Sequence, residues 1–351
     1  MQDNIQPIPY SERYIPTTSG TAVVWPFLNV EKGLGPYEFF LDTNALKNVQ
    51  WFAQLPDEIR MNCVINPWPA LLEQWLSNPQ FRESTSDRIN TMIENLANLG
   101  VPFRKDFARQ QESLLQKNDA ALRTQFSLIV PYVAVMKSLM AQKIPAEEAL
   151  RHLEAMVQQD IPRFTAAIML TALGVLLKCN QSLKLTDDSK PAFSYLDSFL
   201  ALQPGQKDET DHINVPYLRN RAGDLNLWLT VPLLRQLGYQ FAGTPAVITG
   251  DRALHRLIVR VFPAVMMNSD LTMCFIPSPE GLPKPIIDKI ISIVQAVQVR
   301  AKLSAQEQED RMSRLYSLAK SGCADKREQD ALDAIYREWW KPGFGKEILI
   351  T

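Results

Sequence analysis

The chain has 351 residues, 37 basic against 38 acidic side chains, and 46% hydrophobic residues. That is enough apolar mass for a sizeable core, and the length suggests two domains or one domain with a large insertion. A net charge of −1 excludes polybasic binding over the whole surface, and 21% charged with 9% aromatic residues excludes wholesale disorder.

Cys63, Cys179, Cys274 and Cys323 lie far apart with no CxxC pair, and His152, His212 and His255 complete no zinc pattern. The cysteines therefore read as free buried thiols in a reducing compartment. The N-terminus, MQDNIQPIPYSERY, has no apolar h-region and does not read as a signal peptide. The longest uncharged apolar run, Phe164 to Leu177, is too short to span a bilayer and predicts a buried core helix. A cytoplasmic protein without membrane association is expected.

In chain order, residues 1–20 read as a polar arm. Residues 22–27 predict a short strand, at a sheet edge because of Pro26. The run YEFFL at 37–41 predicts a short buried strand ending at Asp42, and 44–53 predicts a helix. Asn66 suits an N-cap and Pro67 a first helical position. Trp68, Leu71, Leu72, Trp75 and Leu76 then share one apolar helix face, with Glu73 on its rim. From about 84 to 202 glycine nearly vanishes, and helices are expected at 87–99, 106–116, 120–142, 146–159 and 162–178. Residues 204–212 read as a polar linker. Asp224 is expected to open a helix that stops at Gly238, with Pro232 kinking it. Residues 246–249 predict a strand followed by the turn Gly250-Asp251. A basic amphipathic helix is expected at 252–262, a last short strand at 271–276, and helices at 283–299 and 305–340.

Short apolar strands separated by helices predict an α/β fold whose short, mainly parallel central sheet is covered on both faces. Ligands of such sheets bind beyond the C-terminal strand ends, where Asp42 and Asp251 lie. Taken singly, Asp42 and Asp224 read equally as helix N-caps, Glu73 as a solvated charge and Asp251 as a turn residue or N-cap.

As a set these acids resemble a known family. Phe39-Phe40-Leu41-Asp42-Thr43-Asn44 resembles the opening motif of PIN-domain nucleases, a strand ending in Asp-Thr-Asn or Asp-Thr-Ser. Val247-Ile248-Thr249-Gly250-Asp251-Arg252 resembles their later motif, a strand running into Thr-x-Asp. Glu73 matches the place of the family's helix glutamate and Asp224 its third acidic position. Asp270 is a fifth acidic candidate. The resemblance covers 21–85 and 212–280. It makes 86–205 a helical insertion foreign to a minimal PIN domain and 283–351 a C-terminal helical segment.

The resemblance implies a three-layer PIN-like fold and a metal-dependent nuclease, acting on RNA ahead of DNA and leaving 5′-phosphate and 3′-hydroxyl ends. Asp42, Glu73, Asp224 and Asp251 would hold Mg²⁺ or Mn²⁺. Carboxylate oxygens are hard ligands suited to these ions, and converging carboxylates repel one another until a cation neutralises them. An ion held there activates a water and stabilises the leaving oxygen. Thr43 and Thr249 are candidates for fixing carboxylate rotamers, and Asn44 for a phosphate contact or a helix cap. Arg252, His255, Arg256 and Arg260 recur on one helix face beside Asp251 and are expected to meet the nucleic-acid backbone. Arg219 and Arg221 are a second such pair, and Trp339-Trp340 a base-stacking candidate. The competing reading is an inactive PIN-like scaffold whose helical insertion docks protein or nucleic acid. A weaker third is a phosphatase of small phosphoesters. No GxxxxGK[ST], no GxGxxG after a strand and no GxSxG is present, so P-loop, dinucleotide and nucleophile-elbow chemistries lack their signatures.

Overall fold

Five strands form one mixed sheet: β1 (Tyr14–Pro16), β2 (Ala22–Val24), β3 (Tyr37–Leu41), β4 (Cys63–Asn66) and β5 (Thr244–Thr249), in the order β1-β2-β5-β3-β4. β3 pairs in parallel with β4 and β5, whereas β2 pairs antiparallel with β1 and β5. The expectation of a mainly parallel sheet is therefore corrected to an evenly mixed one. The edge placement of 22–27 is corrected too. β2 ends at Val24, before Pro26, so no ladder hydrogen bond depends on the proline nitrogen and the strand sits inside the sheet. The outer edge comes from the supposed arm, whose Tyr14 lies opposite Val24.

The structure, a computed structural model, describes residues 6–342 apart from 102, 104, 186–187, 206–207, 237, 252, 268–271, 274–277, 279–281 and 296–302. Around the sheet run α1 (Thr43–Lys47), α2 (Gln50–Ala53), α3 (Asp57–Arg60), α4 (Trp68–Ser77), α5 (Pro79–Glu83), α6 (Thr85–Ala97), α7 (Phe107–Ala141) and α8 (Ala146–Gln158). They are followed by α9 (Thr165–Cys179), α10 (Ala192–Leu200), α11 (Val215–Gln236), α12 (Leu254–Val261), α13 (Lys284–Gln295), α14 (Ala305–Ser321) and α15 (Lys326–Trp339). A separate antiparallel pair joins β6 (Val265–Met266) to β7 (Thr272–Met273). The strand expected at 271–276 is represented by β7, outside the main sheet, and its remaining residues lie outside the described ones. With 61% helix and 9% strand the protein is mixed α/β and dominated by helix.

Alternation along the strands decides which side chains meet which helices. Val23, Phe39, Leu41, Ala246 and Ile248 pack on one face with Leu46, Trp51 and Phe52. Val24, Phe40 and Val247 pack on the other, in a larger core shared with Leu122, Val130, Leu173, Leu315 and Leu332. The residues of 86–205 and of the C-terminal segment thus build one core with the sheet. Buried Glu38 on β3 accepts hydrogen bonds from Asn66 Nδ2 (2.8 Å), the Tyr239 hydroxyl (2.6 Å) and the Ala242 N–H (2.9 Å).

Several helices depart from the sequence expectation for local reasons. The helix expected at 44–53 divides at Asn48, which is extended and accepts from the Gln50 N–H through its side chain (3.2 Å). The helices expected at 106–116 and 120–142 are one, α7. In the gap between them Asn118 Nδ2 donates back to the Leu114 carbonyl (2.9 Å), and Asp119 accepts from Trp75 Nε1 (2.7 Å). Pro131 sits inside α7; its missing N–H leaves the Ser127 carbonyl free, and that carbonyl accepts from the Tyr316 hydroxyl at 2.8 Å. The most apolar window of α7 is 61% buried, as in the core helix of a folded protein. The helix expected at 305–340 breaks before Asp325, whose side chain caps α15 by accepting from the Glu328 N–H (3.2 Å). Cys179 is exposed, and Cys63 and Cys323 are half-buried, so the thiols are less buried than expected. Cys274 lies outside the described residues.

The starts of β3 and β5 approach so closely that a Cβ on Gly243 would lie 2.3 Å from the Pro36 carbonyl oxygen. Gly243→Ala must push main chain from main chain and is expected to cost about 1–3 kcal/mol. A urea midpoint equal to the wild type's would show that the two strands separate freely here.

Candidate active site

β3 and β5 are parallel neighbours, so Asp42 and the Gly250-Asp251 turn emerge side by side at their C-terminal ends. The Asp42 N–H extends the ladder by donating to the Ile248 carbonyl (3.1 Å). Asp42 Oδ1 accepts from the Ala45 N–H (2.5 Å) and so caps α1. Its Oδ2 accepts from the Thr249 hydroxyl (2.6 Å) and the Gly250 N–H (2.9 Å). Thr249 Oγ1 in turn accepts from the Asp251 N–H (2.9 Å). Asp251 Oδ1 accepts from the Ala253 and Leu254 N–H groups (2.8 and 3.4 Å), which turns the chain into α12. The capping role and the site position thus coincide in Asp42, whereas Asp251 holds the turn that leads into α12.

Burial pushes the Asp42 carboxyl up to about 6, against the hydrogen bonds from Thr249, Ala45 and Gly250, which pull it down. Burial also raises Asp251, opposed by the Ala253 and Leu254 N–H groups and by the Arg221 charge. Both carboxylates are costly to ionise where they stand, a cost that a nearby cation removes.

The other two acids come from helices. α4 begins where Asn66 Oδ1 accepts from the Trp68 N–H (3.0 Å), and it buries Trp68, Leu71, Leu72, Trp75 and Leu76 as expected. Glu73 then faces α1 and α11. It accepts from the Thr43 hydroxyl (2.7 Å), and its Cγ lies 3.6 Å from where a Cβ on Gly223 would be. Asp224 does not open its helix, as expected from sequence, but lies inside α11. The helix starts earlier because the Asn214 side chain accepts from the Tyr217 N–H (2.9 Å). Arg221, one turn before Asp224, is 3.7 Å from its carboxylate and 3.5 Å from that of Glu209.

Asp42, Glu73, Asp224 and Asp251 line one small cleft of about 40 Å³, together with Thr43, Asn44, Lys47, Pro69, Phe126, Gly223, Asn226 and Leu227. That space suits an ion with a little water and is too small for a nucleotide. A larger hollow of about 780 Å³ beside Arg13, Trp25 and Met266 contains none of the four acids. All-oxygen donors suit Mg²⁺ or Mn²⁺ in kind. Among the described residues, however, no three His, Cys, Asp or Glu side chains are gathered closely enough to ligate one ion together. Mg²⁺ commonly keeps several waters and takes only one or two carboxylates, so the donor set fits an ion that stays partly hydrated.

The expected basic stripe is corrected. His255 and Arg260 are 0% and 5% exposed, because the N-terminal segment covers α12. Tyr10 and Tyr14 stack on the His255 ring, and the Arg260 guanidinium lies 5.3 Å from the Tyr10 ring centre. Arg256 is paired with Asp188 (3.2 Å) and donates to the Tyr195 hydroxyl (2.7 Å). Arg252 and Asp270 lie outside the described residues. Arg219 is paired with Glu338 and stacks on Trp339, which is 1% exposed and packs edge-on against Phe126, so Trp339 is no base-stacking platform.

The cleft also holds residues that sequence reasoning did not single out, Lys47, Phe126, Gly223, Asn226 and Leu227. Lys47 was within reach, since it follows Asn44 by one helical turn; Phe126 belongs to a distant helix and carried no such signal. Compared with protein-family models, curated proteins and solved structures, the chain has no match in any of the three.

Proposed function

We propose that this protein is a metal-dependent nuclease of PIN-like fold that hydrolyses phosphodiester bonds, of RNA ahead of DNA. The observation that carries this reading is that Asp42, Glu73, Asp224 and Asp251, from four separate segments, line one cleft. The Asp-Thr-Asn and Thr-x-Asp motifs support it, as does the position of the cleft beyond two parallel strand ends. Asp42 and Asp251 would hold the ion from the sheet side, with Glu73 and Asp224 completing the set from α4 and α11. A bound Mg²⁺ or Mn²⁺ supplies a water of lowered pKa and neutralises charge at the phosphate. The chain's own contribution is preorganisation. Thr249 fixes the Asp42 carboxylate and Thr43 fixes that of Glu73, so two rotamers are set in advance. Burial keeps bulk water from Asp42 and strengthens its pull on a cation.

A second reading, the inactive scaffold, is favoured by the lack of three acids close enough to share one ion among the described residues. Incubation of labelled single-stranded RNA and DNA with Mn²⁺, beside an EDTA control, separates the two. The nuclease reading expects metal-dependent cutting. It also expects Mn²⁺ to stabilise the fold by about 2.7 kcal/mol at a hundredfold excess over its dissociation constant. Absence of both effects overturns it in favour of the scaffold.

A further inference from the structure

Among the described residues, the basic side chains expected to meet a nucleic acid are engaged within the protein. His255 and Arg260 are buried, Arg256 is paired with Asp188, Arg219 with Glu338, and Arg221 with Glu209 and Asp224. A phosphodiester approaching four carboxylates nevertheless needs positive charge at the cleft. Among the described residues that line it, Lys47 is the one basic side chain. It is exposed and, among the described residues, takes part in no ion pair or hydrogen bond. Lys47 is in the last turn of α1, three residues after Asn44, which is also exposed and also lines the cleft. Residues so spaced are neighbours on one helix face. The Asp42 carboxylate caps the other end of the same helix. One short helix therefore carries a buried acid at its base and an amide and an ammonium beside the cleft.

We propose that Lys47, with Asn44 beside it, is the phosphate-holding position of this site, its ligand a backbone phosphate of a nucleic-acid strand lying across the mouth of the cleft. This rests on the nuclease reading of the same cleft. The cleft volume of about 40 Å³ keeps a nucleotide out, so the strand must be held at the rim. A free ammonium on a flexible stem serves that purpose, forming charge-assisted hydrogen bonds to phosphate oxygens without reading a base. Asn44 adds an amide donor on the same face. Lys47 is a binding and positioning residue and moves no proton.

The test uses the full chain carrying Asp42→Asn, so that the strand survives, with and without Lys47→Ala or Lys47→Arg. Binding of fluorescein-labelled single-stranded RNA and DNA is followed by anisotropy in Mn²⁺ over a range of salt. Lys47→Ala is expected to weaken binding about tenfold and to lower the slope of log affinity against log salt by about 0.7, the share of one phosphate contact. Lys47→Arg is expected to restore both, and RNA and DNA to respond alike. In the otherwise wild-type chain, Lys47→Ala is expected to leave the Mn²⁺ stability shift unchanged. Unaltered affinity and slope in Lys47→Ala overturn the proposal. So does failure of Lys47→Arg to restore them, an effect confined to RNA, a lost Mn²⁺ shift, or no binding by the parent chain. If Lys47 controls binding while the wild-type chain neither cuts in Mn²⁺ nor is stabilised by it, the nuclease reading falls and the phosphate site stands.

Discussion

Asp42→Asn is expected to lower Mn²⁺-dependent cleavage roughly a thousandfold, which corresponds to about 4 kcal/mol of lost transition-state stabilisation. Asp42 is tightly built into the cleft, with two main-chain donors and the Thr249 hydroxyl holding its two oxygens. The amide of Asn keeps the shape but lacks the charge that draws a cation. The variant should still fold. Asp42 binds its proton more tightly in the folded chain, with burial holding it at about 6, than in the unfolded chain, where a carboxyl titrates near 4. The wild-type apoprotein therefore loses stability as pH rises from about 4 to about 6, by about 3 kcal/mol. Above that window the Asn variant is spared this cost, which offsets the clash between its amide and the Ala45 or Gly250 N–H. Cleavage rates and melting temperatures at pH 7.5 check both halves. A variant that melts normally and cuts within tenfold of wild type removes Asp42 from the reacting set. Asp251→Asn is expected to behave in the same way.

Much of this site was legible because it depends on local pattern. YEFFL followed by Asp-Thr-Asn can hardly be anything but a buried strand turning into a helix, and Asp42 is found there as the cap of α1. The stripe Trp68, Leu71, Leu72, Trp75 and Leu76 fixed which way α4 turns, and hence placed Glu73 at the rim. Asp224 does line the same cleft as the other three acids, but not as the opener of its helix. Its own capping propensity suggested a helix start, but Asn214 begins the helix earlier. The basic residues of α12 misled for a different reason. Helical spacing shows that Arg256 and Arg260 share a face, but not whether that face meets water. Here Tyr10 and Tyr14, some 240 residues away in sequence, and Asp188 cover it, and such coverage leaves no trace in local periodicity.

His255 shows how far that covered face departs from a solvated one, and it sets the expected acid response of the fold. Its Nδ1 is 2.6 Å from the Tyr10 hydroxyl, and its Nε2 is buried with no hydrogen-bond partner among the described residues. Trp228, Tyr10 and Tyr14 surround the ring. Arg256 opposes a positive charge there and Asp188 favours one, but burial dominates and pushes His255 down to about 3. The unfolded chain binds this proton near pH 6.5, so the unfolded state gains protons first as pH falls. Stability tied to His255 is therefore present above about 6.5 and is lost as pH falls towards 3, by about 5 kcal/mol in full and about 3 kcal/mol by pH 4.5. Over part of that range Asp42 acts with the opposite sign, so the wild-type profile alone does not isolate either group. His255→Phe keeps an aromatic ring under Tyr14 and removes the titration. Urea unfolding of both chains at pH 7.5 and 4.5 is expected to show the stability difference moving in favour of the variant by about 3 kcal/mol. A difference independent of pH would mean that His255 takes up its proton within the folded protein, and that the N-terminal segment opens from α12 far more readily than its packing implies.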